Sequence, residues 1–249
     1  MRSRSATRRA PRVPREVVVR LVVRTFSEVC LTAGTLIVLF VAYVLLWTGV
    51  KADRAMDGEM ERLHGRWAAA PQAGRAPGAP QPPQAPGAPQ APQTPVSYPR
   101  GQAFAEMYIP RFGPDWVKPV LEGTGTELLK KGLGHYEGTA QAGGTGNFAV
   151  AGHRRTYGDP FKDFPELRPG DTVVLKDATS WYTYTVRNRP LRTLPTEVGV
   201  VDPVPKRSPF TGPGRYLTLT TCDPEWGHSH RLIVWAELTE TRPVRRASL

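Results

Sequence analysis

At 249 residues the chain is long enough for one or two domains. Its formal charge of +11 raises the question of nucleic acid, yet residues 103–239 hold 16 basic and 15 acidic side chains, so the excess sits toward the ends. That distribution argues against a nucleic-acid-binding face and for orientation by a membrane.

Residues 1–28 are Arg-rich, and from Val29 to Val50 no residue is charged. At about 1.5 Å per residue the uncharged run is long enough to cross a hydrocarbon core of roughly 30 Å. Tyr43 and Trp47, near its far end, suit an interface. The run is long for a signal-peptide core, and no convincing small-residue cleavage site follows it. It reads as a transmembrane signal anchor over 29–50 behind a cytoplasmic basic tail, 1–28, with the N-terminus inside. A buried core helix is the competing reading, disfavoured by the length and the basic flank.

Residues 51–67 carry mixed charges and extend the helix by a few turns. Residues 68–100 are mostly Ala, Pro, Gln and Gly, with Arg75 the one charge between Trp67 and Pro99. Such a stretch cannot bury a core and favours extended conformations. The segment 51–102 is therefore expected to tether a folded domain of residues 103–239, and 240–249 reads as a tail.

Within 103–239, short strand-like pieces recur at Ala105–Ile109, Trp116–Leu121, Asn147–Gly152, Thr172–Lys176, Trp181–Arg187, Tyr216–Cys222 and Arg231–Thr239. Glu127–Lys131 and Pro160–Phe164 read as single helical turns. Gly, Pro and Asp clusters separate the pieces, which predicts an all-β barrel or sandwich with one core.

The last two strands carry the chemistry. In Tyr216–Cys222, Leu217 and Leu219 share one face while Thr218, Thr220 and Cys222 share the other. Pro224 ends the strand. In the next strand Leu232, Val234, Ala236 and Leu238 alternate with Arg231, Ile233, Trp235 and Glu237. Paired as a hairpin, the strands bring Cys222 and Arg231 together at its mouth, and a thiol beside a fixed cation favours the thiolate. The bland alternatives are a small buried Cys and an ordinary edge-strand Arg. Cys222 is also the one thiol of the domain, because Cys30 lies in the apolar run, and an unpaired Cys in an extracellular domain points to reactivity.

A catalytic thiol usually needs an imidazole. His153 ends the apolar strand Phe148-Ala149-Val150-Ala151-Gly152, a suitable way to hold a ring at a barrel rim. His64 lies in the membrane-proximal segment. His228 and His230, even with Cys222, lack a complete zinc ligand set, so no metal is assigned.

Thr218-Leu219-Thr220-Thr221-Cys222 resembles the TLxTC signature of sortases. His153 in Ala151-Gly152-His153-Arg154 matches their catalytic histidine, and Arg231 matches their catalytic arginine. The resemblance spans Phe104 to Leu238. The run Tyr108-Ile109-Pro110-Arg111-Phe112-Gly113 and the Pro-rich stalk are most similar to class E, the housekeeping sortases of high-GC Gram-positive bacteria.

The resemblance implies an eight-stranded sortase-type β-barrel with short helices, preceded by one transmembrane helix and a Pro-rich linker. It implies a cysteine transpeptidase at the plasma membrane, catalytic domain outside, without a cofactor. Partners would be secreted proteins bearing a C-terminal LAxTG- or LPxTG-like sorting signal, a peptidoglycan precursor amine, and the lipid bilayer. Cys222 would attack the Thr–Gly carbonyl, His153 would move the proton, and Arg231 would support the oxyanion. Thr221, Thr220 and Tyr108 are expected at the substrate. Leu194–Tyr216, with five prolines, would cover the sorting-signal groove. Rival readings are a cysteine peptidase that hands the same thioester to water and a non-catalytic binding module. A peptidoglycan L,D-transpeptidase is disfavoured by the absence of Ser-x-Gly-Cys-x-Arg.

Overall fold

The structure, a computed structural model, describes residues 14–69 and 97–244. The basic stretch through residue 13, most of the Ala/Pro/Gln/Gly-rich segment (70–96) and the last five residues lie outside the described residues. The chain divides into two compact units that meet between Trp47 and Thr48.

Helix α1 runs from Arg15 to Ala69. Within the first unit, Arg15–Tyr43 is long and apolar enough to cross a membrane, with a mean hydropathy of 1.9 and none of that window buried. This starts earlier than the uncharged run at Val29, because Arg20, Arg24 and Glu28 are spaced among Val, Leu and Phe without breaking the helix. Arg24 Nε donates to Glu28 Oε1 at 2.9 Å one turn on, so two of these charges satisfy each other.

The second unit is built on one sheet of nine strands. They are β1 (Ala103–Tyr108), β2 (Val117–Glu122), β3 (Leu133–His135), β4 (Gly146–Ala151), β5 (Thr172–Lys176), β6 (Ser180–Val186), β7 (Leu191–Thr193), β8 (Arg215–Asp223) and β9 (His230–Pro243). The order β6-β5-β1-β2-β3-β4-β8-β9 closes on itself through β6–β9, giving an eight-stranded barrel, and the short β7 pairs with the first residues of β9 on the edge that β6 joins further along. Closure removes the exposed sheet edges that an open β structure must otherwise protect. A short helix, α2 (Thr126–Leu129), occupies the predicted turn. The other expected helical turn, Pro160–Phe164, is a hydrogen-bonded turn that leads into a 3₁₀ turn at Phe164–Glu166. The two strands without a sequence signal, β3 and β7, are each three residues long, too short to show alternation.

Side-chain alternation builds the core. Leu217 and Leu219 of β8 and Leu232, Val234 and Ala236 of β9 point inward, joining Met107, Val120, Phe148, Val150, Phe161, Val173, Leu175 and Tyr184. The opposite faces of β8 and β9 are also covered. Ile233 and Trp235 pack under Val200 of the β7–β8 connection, and the Val200 carbonyl accepts from Trp235 Nε1 at 3.0 Å and Thr218 Oγ1 at 3.3 Å. Asn147 Nδ2 donates to the Asp202 carbonyl at 3.1 Å, so the proline-containing connection is pinned from β4 as well.

Two of the adjacencies are parallel, β2–β3 and β4–β8. Parallel neighbours need long crossovers, and that between β4 and β8 contains β5, β6 and β7. Its consequence is that β4 and β8 end at the same rim.

Candidate active site

Ala151 of β4 lies opposite Thr220 of β8. One residue further, the Gly152 amide donates to the Thr220 carbonyl at 3.1 Å, and Thr221 Oγ1 donates to the Gly152 carbonyl at 2.8 Å. The next residues on the two strands are His153 and Cys222. Across the antiparallel β8–β9 ladder, Cys222 pairs directly with Arg231, which places both on the face shared by Thr220 and Ile233. Thiol, imidazole and guanidinium therefore leave three adjacent strands at one rim, and β7 borders them because Thr193 pairs with Arg231.

Gly152 has to be a glycine for this geometry. A Cβ there would stand 2.6 Å from Phe161 Cδ2 and 2.8 Å from Leu133 Cδ2, both packed core atoms. The close approach lets β4 run to the rim without losing the core beneath it.

His153 is half-buried, and its Nε2 is enclosed with no hydrogen-bond partner among the described residues. Burial pushes its pKa below the usual 6.5, and the Lys130 ammonium pushes in the same direction. The ring is accordingly neutral at neutral pH and able to accept a proton. Tyr157 lies against it, ring centroids 5.1 Å apart, with Lys130 Nζ 5.2 Å from the centroid of that tyrosine.

Arg231 donates from a single nitrogen, Nη1, to the carbonyls of His228 and His230, each at 2.9 Å. Its remaining N–H groups have no partner among the described residues, so the guanidinium is held by one corner with the rest of its fork available. Asp223, next to the thiol, forms ion pairs with Arg154 at 2.6 Å and Arg192 at 2.8 Å. Arg155 bonds Glu225 and stacks 5.2 Å from the Trp226 ring centre. These links tie the loop after His153 to the loop after Cys222. Neither Asp223 nor Arg154, Arg155 and Arg192 has a role that alternation or motif spacing in the sequence reveals. The signal that could have flagged Arg154 and Asp223 is a charged residue of opposite sign immediately following His153 and Cys222; Arg155 and Arg192 carry no such signal.

The structure brings together Cys222, His153, Arg231, Thr220 and Thr221. The buried Thr221 hydroxyl is committed to the Gly152 carbonyl and ties β8 to the end of β4. Thr220, also buried, shares a 3.2 Å hydrogen bond with Tyr136 Oη. Tyr108 does not join them. It lies on β1, four strands from β8 in either direction around the closed ring, and its hydroxyl donates to Glu106 at 2.5 Å. Burial and the Glu106 carboxylate both raise its pKa. His135 is a structural residue, fully buried, bonded to Glu122 at 2.9 Å and stacked on Phe148. His230 Nδ1 accepts from Arg192 at 3.1 Å and shares a 3.0 Å hydrogen bond with Ser229 Oγ.

A nucleophile, a proton carrier and a charged donor converging on one rim of a closed barrel suit thiol-based acyl transfer. A sortase-domain family model matches residues 107–239, and the chain belongs to the sortase family of cysteine transpeptidases. It is 37% identical to Sortase SrtE1 of Streptomyces coelicolor over 97% of this chain and 64% of that protein. It is 31% identical to Sortase SrtE2 of the same organism, over 89% of this chain and 84% of that one. The chain thus spans just under two thirds of the length of SrtE1. Sortase E from Streptomyces avermitilis matches with a TM-score of 0.56 and 66% identity, covering 59% of this chain and 94% of that one. Sortase E1 from S. coelicolor, with a tripeptide in its active site, matches with a TM-score of 0.54 and 42% identity over 57% of this chain and 91% of that one. These neighbours are class E sortases, the class that the sequence resembles most.

Proposed function

We propose that the chain is a membrane-anchored transpeptidase acting on secreted proteins with a C-terminal LAxTG- or LPxTG-like sorting signal. Its N-terminus lies in the cytoplasm, the apolar part of α1 spans the bilayer, and the barrel works outside. The observation that supports the reading is the register of three strands, which pairs Cys222 with Arg231 and sets Ala151, two residues before His153, opposite Thr220, two residues before Cys222.

The Cys222 sulfur attacks the Thr carbonyl carbon of the signal. The S–C bond forms, and the carbonyl π electrons move onto oxygen. Arg231 donates to that oxyanion from the nitrogens not used on the loop carbonyls. As the tetrahedral intermediate collapses, the Thr–Gly C–N bond breaks and the protonated His153 gives its proton to the departing glycine amine. A thioester remains on Cys222. A peptidoglycan precursor amine then attacks it, His153 takes the amine proton, and the C–S bond breaks. The neutral imidazole favoured by burial is the form needed to accept a proton from the thiol and from the incoming amine.

The test is product analysis with a sorting-signal peptide, with and without an amine acceptor. Intact mass of the enzyme should show an acyl adduct on Cys222, and added amine should divert the product from acid to amide. Hydrolysis indifferent to amine would make the enzyme a peptidase. No adduct and no cleavage with any signal peptide would remove the assignment.

A further inference from the structure

The second half of α1 does not behave as a spacer. Within the barrel unit, Ala52, Met56, Glu59 and Leu63 are buried, at spacings of four, three and four residues. That is one continuous face of a helix. The face is fastened to the barrel at its C-terminal end. Leu63 packs with Ala103 of β1 and Leu121 of β2, and Trp67 joins them. His64 bonds the buried Glu106, and Arg66 donates to the Ala103 carbonyl at 2.5 Å. Lys176 of β5 stands 4.9 Å over the Trp67 ring and 3.3 Å from Glu106.

The other end of the face reaches the loop that follows His153. A Cβ on Gly158 would meet Asp53 Oδ1 at 2.9 Å, Met56 Cε at 3.1 Å and Ala52 Cβ at 3.6 Å. That loop is conformationally costly. Thr156, Tyr157, Gly158 and Asp159 all have positive φ, at 75°, 51°, 78° and 48°. Three of these four carry side chains that disfavour the left-handed region, and such a run persists only where its surroundings hold it. Within the loop, the Phe161 amide donates to the His153 carbonyl at 3.0 Å, the Asp159 amide to Thr156 at 3.2 Å and Arg155 Nη1 to Asp159 at 3.4 Å; Arg154 and Arg155 hold its start to Asp223 and Glu225, while Gly158 at its tip faces α1. The same loop carries Tyr157, whose ring lies against the imidazole.

We propose that residues 48–69 form a positioning element of the active site, with Ala52, Asp53 and Met56 holding the strained 154–159 loop and thereby His153. The membrane-proximal helix is then a working part of the enzyme, not only its tether. Leu63, His64, Arg66 and Trp67 anchor it to the barrel wall, and Met56 acts through the loop without touching the reacting atoms.

This rests on the reading that His153 serves Cys222. The test uses the full chain in detergent micelles with a sorting-signal peptide, comparing Met56→Leu, Met56→Ala and Met56→Lys. Hydrogen exchange of residues 154–160, melting of the barrel and steady-state kinetics are followed together. Met56→Leu should retain wild-type values. Met56→Lys should speed exchange in the loop and lower kcat by about 10-fold or more, the scale of effect that misplacing a catalytic group produces. KM should stay within about twofold, since the signal groove is not touched. If Met56→Lys fails to fold, the Ala and Leu variants carry the test, because loop exchange and kcat must move together. A loosened loop with unchanged kcat, or a change confined to KM, overturns the proposal. An inactive wild type or a fully active His153→Ala would instead overturn the reading on which it rests.

Discussion

Arg231→Lys separates an oxyanion donor from a simple cation. In the structure one guanidinium nitrogen is used on the His228 and His230 carbonyls, leaving the rest of a rigid fork beside the Cys222 position. Lysine keeps the charge but offers a single compact ammonium on a flexible stem. It cannot brace the loop and meet an oxyanion at a fixed place simultaneously. Losing one such donor costs about 10²–10³ in rate, or roughly 2.7–4 kcal/mol of transition-state stabilisation. The effect on stability is smaller. The two carbonyls lie near solvent, water replaces the lost donor, and the net cost is about 0.5–1.5 kcal/mol. Single-turnover acylation by a signal peptide, measured beside the pH dependence of Cys222 alkylation and the melting temperature, distinguishes the effects. We expect acylation about 10²-fold slower, with alkylation across pH little changed. Unchanged acylation with a displaced alkylation profile would show that Arg231 only supports the thiolate, and the reasoning would fail.

Cys222→Ala should abolish the acyl adduct while Cys30→Ser leaves it intact, since Cys30 lies in α1 outside the barrel unit; an adduct on the Cys222→Ala protein by intact mass would remove the nucleophile assignment. Lys130→Gln deletes a positive charge that disfavours the imidazolium. His153 should then titrate higher, and the acidic limb of the pH–rate profile should move to higher pH; a limb that stays or moves down contradicts the assignment. The lowered His153 pKa also has a stability consequence. Stability is fully present above the unfolded value and is lost as pH falls through the folded one, because burial and Lys130 penalise the folded imidazolium, so the denaturant midpoint of the wild type should fall relative to that of His153→Gln on acidification. Thr221→Val keeps the shape but removes the donor to the buried Gly152 carbonyl, costing about 1–3 kcal/mol. It should lower kcat more than it raises KM, and wild-type kinetics with a lowered melting temperature would confine Thr221 to a purely structural role.

The alternation of β8 and β9 is legible in the sequence, because a strand with one aliphatic face must turn that face inward, and Leu217, Leu219, Leu232, Val234 and Ala236 do so. The pairing of Cys222 with Arg231 follows from that alternation and one short connection, since a hairpin leaves little freedom of register. The apolar helix is equally local, a matter of composition over consecutive residues. What local pattern cannot carry is adjacency across a long crossover. That His153 ends beside Cys222 depends on β4 and β8 running parallel, and only the closed ring establishes that order; the sequence reached the pair through resemblance instead. The same ring removes Tyr108 to the far wall, although its motif made it a substrate candidate. Residues 51–67 show the limit most clearly. Their mixed charges read as a few further turns of helix within a tether, because burial of Met56 and Leu63 depends on partners such as Ala103, Leu121 and Gly158, which lie about 40 to 100 residues away in the chain. A sequence reports which face of a helix is apolar, but the surface that covers it exists only after the barrel has closed.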